Sequence, residues 1–200
     1  MYKYIAKYLL LPKVFRFFGV VVLPSLFIGL VGFFICSYLA LFVLPADATQ
    51  QEIYRILFVH VPAAIFSELI YIFMACCGFI YLVWKTKISA IMLRSAISLG
   101  LVFTLIVLIS GAIWGKPTWG TYWVWDARIT STFILLIQYI GLLALRTSFN
   151  TMQTTDQILS IVAIVGAINI PIIKFSVNWW NTLHQLSLIH ISEPTRPSRI

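Results

Sequence analysis

Five long apolar runs, separated by short polar segments, leave this chain few ways to fold. They fall at residues 17–44, 59–84, 93–114, 129–145 and 158–175. The hydrocarbon core of a bilayer is about 30 Å thick and takes about 20 helical residues to cross. In lipid every backbone N–H and C=O must be satisfied within the protein, so runs of this kind are predicted to be helices. Composition agrees: 61% of residues are hydrophobic and 10% charged, with a mean hydropathy of +0.98. A soluble domain has roughly 45–50% apolar and about 25% charged residues. The chain is therefore read as an all-α polytopic membrane protein with five transmembrane helices.

The net charge of +8 does not mark a nucleic-acid binder, because the basic residues flank apolar runs and are not massed on one element. Lys and Arg in short loops orient a membrane protein, the richer side being cytoplasmic. A cytoplasmic N-terminus puts Lys3, Lys7, Lys13, Arg16, Lys85, Lys87, Arg94 and Arg146 inside, against Arg55, Lys116, Arg128 and Lys174 outside. Segments 45–58 and 115–128, with the stretch after Lys174, then face outward. The first run has a basic start and an Ala46-Asp47-Ala48 site. It is nearly twice the length of a signal-peptide core, about 7–15 residues, and is read as a retained helix kinked at Pro24.

Cys36, Cys76 and Cys77 all lie in apolar stretches, where a thiol behaves as a small hydrophobe. The chain has no CxxCH haem-attachment pattern, and no phosphate loop, HExxH or Ser/His/Asp arrangement.

Chemistry concentrates in residues 114–128, W-G-K-P-T-W-G-T-Y-W-V-W-D-A-R, which hold four of the seven tryptophans. Gly115, Pro117 and Gly120 are expected to end the third helix and turn the backbone along the interface. Tryptophan gathers at membrane interfaces unaided, so an aromatic belt is one reading. The other is a stiff apolar platform for a planar ligand, suggested by the glycines and the closing Asp126-x-Arg128.

This string, followed by Thr130, Ser131, Tyr139 and Gly141, resembles the tryptophan-rich "WWD" signature of the haem-handling proteins. The similarity covers roughly residues 15–185. Within that group it is most similar to the CcmC family of the cytochrome c maturation system. The resemblance implies six membrane helices, where five are visible here, and a Trp-rich loop on the outer face. It also implies that haem b is bound transiently, with Trp114, Trp119, Trp123, Trp125, Asp126 and Arg128 lining its site. His60 and His184 match the family's two external histidines, and the resemblance makes them the axial ligands of haem iron. A His at a helix end is otherwise a solvated or capping residue.

The implied function is delivery of haem to the periplasmic chaperone CcmE during c-type cytochrome biogenesis, without catalysis by this chain. The ABC-type CcmA/CcmB complex and the small membrane protein CcmD are the further implied partners. The implied setting is the bacterial inner membrane, or alternatively the mitochondrial one. A b-type electron-transfer subunit and a small-molecule permease are the other functions considered. The first would hold haem between histidines within the helices, and none is predicted near mid-membrane; the second lacks the paired broken helices of transporters.

Other polar residues keep two readings. Glu68, inside the second run, is either functional or neutral and hydrogen-bonded. Asp126 and Arg128 either pair with each other or meet the ligand, and Arg128 or Lys116 could meet a haem propionate. Asn169 is expected to relieve a helix break before Pro171. Residues 186–200, which contain His190, have a polar, Pro-interrupted second half and resemble translated adaptor sequence. The haem-handling domain is accordingly expected to span residues 1–185, followed by a non-family tail.

Overall fold

The computed structural model describes residues 11–180. Helix α1 (Leu11–Tyr38) continues into a π-helical turn at Leu39–Val43. After a compact loop, a 3-10 turn at Glu52–Ile56 leads into α2 (Leu57–Trp84). Then follow α3 (Lys87–Trp119), α4 (Ala127–Leu145), α5 (Met152–Gly166) and α6 (Asn169–Trp179). Among the described residues five stretches are long and apolar enough to cross a membrane, the last being α5 and α6 together. The chain is thus an all-helical, multi-pass membrane protein.

The packed body is built from α2 to α6, with α2 against α3 as its main seam. Tyr71, Met74, Leu93, Ile97, Leu135, Tyr139, Leu142 and Leu159 fill its centre. Tyr139 joins three helices: its ring stands edge-on to Tyr71, 5.2 Å away, and its hydroxyl donates to the Ser67 carbonyl at 2.8 Å. Gly100 makes room for it, since a Cβ there would lie 2.2 Å from the Tyr139 ring. With no hydrophobic drive between helices in lipid, close backbone approach at small residues is what holds such a seam. Of residues 12–43, only Ala40 is buried, so α1 stands largely apart from this body.

Helices α3 and α5 each begin six residues before the expected runs, at Lys87 and Met152, and two further departures bear on the site. The third helix does not stop at Gly115 or Pro117; it runs through both and ends at Gly120, whose φ of +79° is the left-handed conformation a glycine adopts without strain. Pro117 forfeits a single backbone bond near a helix end, a loss too small to break it there. Trp114 and Trp119 are therefore helical, and the open loop shrinks to residues 120–126. The fifth run is broken at Ala167–Ile168, ahead of Pro171. Pro171 sits in the first turn of α6, where a missing N–H is harmless. Asn169 does not relieve the break locally: its amide donates across to the Ser131 carbonyl of α4 at 2.9 Å.

Antiparallel neighbours bring the start of α2, the end of α3, the start of α4 and the end of α6 to one end of the bundle. The opposite end carries Lys85, Lys87, Arg94 and Arg146, with Arg94 paired to Asp156 at 2.8 Å.

Candidate functional site

The aromatic end is assembled from four segments. On α2, His60 lies in the first turn, and its Nδ1 is 3.0 Å from Ser110 Oγ of α3. One turn further along α3, Trp114 meets the imidazole edge-on, with ring centroids 5.7 Å apart. The Trp114 indole N–H donates to Gln50 Oε1 at 2.9 Å, tying the ring to the loop before α2. Sequence reasoning missed Gln50, because nothing in its own neighbourhood marks it; its role comes from a contact sixty-four residues away.

That loop is held from within. Asp47 Oδ1 accepts from the N–H groups of Thr49 and Gln50 and from the Thr49 hydroxyl, at 2.7–2.9 Å. These bonds hold the Asp47 carboxyl below the usual carboxylate range, the Gln50 N–H contributing most. Tyr54 donates its hydroxyl to the Pro45 carbonyl at 2.7 Å. Arg55 reaches the carbonyls of Ala40 and Leu44 and pairs with Glu52, closing the connection between α1 and α2.

In the Trp-rich segment, Trp123 packs edge-on against Phe133 at 5.7 Å and against Trp125 at 5.5 Å. Trp125 is 75% exposed and Tyr122 61%. Trp119 closes the last turn of α3, its ring lying over Gly115. Lys116 spans the turn, donating to the Gly120 carbonyl at 3.0 Å and lying over the Tyr122 ring; its charge helps end α3. Asp126 is buried and caps α4, its Oδ1 accepting from the N–H groups of Arg128 and Ile129 at 2.8 and 3.3 Å. Arg128 sits half-buried in the first turn of that helix.

A further aromatic group was not singled out from the sequence. Phe175 stacks on Trp179 at 5.5 Å, and Trp179 meets Trp180 edge-on at 5.9 Å, both tryptophans being exposed. The adjacent Trp179-Trp180 pair itself was the available signal. Glu68 and Lys174 share a groove of ≈ 490 Å³ between α2 and α6, lined otherwise by apolar side chains such as Ile65, Ile72 and Phe175. His184, His190 and the tail from residue 186 lie outside the described residues.

The structure thus brings His60 and Trp114 together and joins Trp123 to Trp125. It links the two groups through the last turn of α3, which carries Trp119, and it gives Asp126 a capping role. Among the described residues no group of three or more His, Cys, Asp or Glu side chains could hold a bare metal ion. A porphyrin makes no such demand, since it supplies four equatorial nitrogens and leaves the protein only the axial positions. One imidazole against a part-exposed indole, with the exposed Trp125, Trp179 and Trp180 at the same end of the bundle, suits that kind of ligand.

Comparison with known proteins agrees with this chemistry. The family described as heme exporter protein C (CcmC) matches residues 5–200. The chain is 48% identical over 141 residues to the "Heme exporter protein C" of Escherichia coli (strain K12), a stretch covering 70% of this chain and 58% of that one. A "Putative cytochrome c biosynthesis ccmC-like mitochondrial protein" of Marchantia polymorpha is 49% identical over 152 residues, 76% of this chain and 64% of its own length. "Heme exporter protein C" of Haemophilus influenzae is 43% identical over 152 residues, covering 76% and 62%. In each case the matched stretch spans less than two thirds of the relative.

Proposed function

The chain belongs to the heme exporter protein C family, and from that premise we propose that it holds haem at the outer face of the membrane and passes it to a periplasmic haem chaperone during c-type cytochrome biogenesis. The observation that carries this reading is the seating of the His60 imidazole against Trp114, at the end of the bundle where the exposed tryptophans gather. His60 and His184 serve as axial ligands to the iron of a transiently held haem b. Trp114, Trp119, Trp123 and Trp125 offer ring surfaces to the porphyrin, and Arg128 a positive charge to a propionate. Asp126 supports this wall by fixing the start of α4.

Magnitudes favour a ligand that can leave. An indole presents 150–250 Å² in all, and covering roughly 100 Å² of apolar surface yields about 2.5 kcal/mol. Two or three such faces with two exchangeable axial bonds hold a porphyrin without trapping it, as a carrier requires. The recipient is the chaperone CcmE. CcmA/CcmB supplies the ATP-driven step that this chain has no phosphate loop to perform, and CcmD completes the assembly. The setting is the bacterial inner membrane; a mitochondrial inner membrane is the second possibility, favoured by the Marchantia relative.

His60→Ala and His184→Ala, each made in the full chain and purified in detergent, test the reading. Each variant is expected to lose or shift the haem absorption bands and to block assembly of c-type cytochromes. Wild-type spectra in both would refute the axial assignment.

A further inference from the structure

We propose that Ser110 is a positioning residue for haem binding, holding His60 in the tautomer that carries its ring proton on Nδ1 and its lone pair on Nε2. The proposal rests on the reading of His60 as an axial ligand, and it adds a residue of α3 to the site.

A single proton decides the tautomer. Ser110 Oγ lies 2.5 Å from the Ile106 carbonyl oxygen, one helical turn back, and 3.3 Å from that of Val107. Two oxygens at 2.5 Å repel unless a proton lies between them, and this is the short end of the O–H···O range. A serine hydroxyl has one proton, and here Ile106 receives it. Only lone pairs of Oγ then face His60 Nδ1, 3.0 Å away. A lone pair cannot bond a lone pair, so Nδ1 must be the donor. In a neutral imidazole the other nitrogen, Nε2, then bears the in-plane lone pair.

Neighbouring residues reinforce the arrangement. Gly111 follows Ser110, and a Cβ there would come within 3.1 Å of His60 Cε1 and 3.6 Å of Nδ1. Any larger residue would press on the ring that Ser110 holds. Trp114 stands edge-on to the same ring, at an interplanar angle of 77°. The imidazole is thus gripped by a hydrogen bond, a gap and an aromatic edge, all from consecutive turns of α3. Such a partner on the distal nitrogen orients an iron-ligating histidine and raises its basicity; losing one typically weakens binding 10–100-fold.

The test uses the full-length chain with Ser110→Ala and Ser110→Thr, the second keeping a hydroxyl. In the haem-free protein, 15N spectra of labelled histidine, assigned with His60→Ala, report the tautomer directly. Wild type and Ser110→Thr are expected to show the proton on Nδ1, and Ser110→Ala to lose that preference. In the haem-loaded protein, Ser110→Ala is expected to release haem about tenfold faster and to raise the reduction potential, with Ser110→Thr close to wild type. An unchanged tautomer, or an unchanged release rate and potential, in Ser110→Ala overturns the proposal. Failure of the ligand reading looks different, because His60→Ala would then keep the wild-type haem spectrum whatever the 15N spectra show.

Discussion

Asp126 shows how a residue noticed for one role can carry another that its position equally announces. In the sequence it stood beside Arg128 as half of an ion pair or as a ligand contact. In the structure its carboxylate caps α4 and is almost wholly buried. The capping signal was legible, since Asp directly precedes an apolar-periodic run, but the tryptophans around it drew attention to the ligand. Replacing a capping Asp by Ala costs about 1 kcal/mol, whereas Asn caps about as well. Thermal unfolding in detergent should therefore place Asp126→Ala clearly below wild type and Asp126→Asn close to it. Equal melting of all three would mean that the cap contributes nothing. The bonds of His60 were beyond reach for a different reason: Ser110 is fifty residues away, and no local pattern announces such a pairing.

Among the elements, apolar length located all five spans, and the ends of α2 and α4 fell within two residues of expectation. The misreading at the end of α3 came from glycine and proline, whose effect depends on how many helical bonds remain to be lost. Gly115 and Pro117 stand in the last turns of α3, so the helix carries both and stops only where Gly120 turns left-handed. Gly100 has another purpose, being the notch in α3 that admits the Tyr139 ring from α4. A Cβ at 2.2 Å cannot be absorbed by a fully buried ring, and overpacking of this kind costs about 1–3 kcal/mol or more. Gly100→Ala is expected to destabilise the bundle by at least that amount. Tyr139→Phe, which keeps the ring and loses only the bond to Ser67, should cost about 1 kcal/mol. Comparable melting temperatures for the two variants would contradict this account of the α3–α4 seam.

For the molecule as a whole, the charge asymmetry between its ends is the ground for the direction proposed for it in the membrane. The proposed orientation puts the aromatic end, with residues 120–126, outside, and the α4–α5 turn at residues 146–151 in the cytoplasm. Reporter fusions check this: alkaline phosphatase joined at Thr121 should be active, and at Asn150 inactive. The reverse pattern would place the proposed haem site on the wrong side of the membrane for the proposed periplasmic recipient. Within this plan α1 is held mainly through the π-helical turn that continues it, by Arg55 on the Ala40 and Leu44 carbonyls, while nearly all of its surface faces away from the bundle. The order of its amino acids therefore carries almost no information for the fold of the rest. A scrambled α1 that keeps its apolar content and its last turn would still spell the same helix to the bilayer, and helices α2 to α6 would have almost no means of reading the difference.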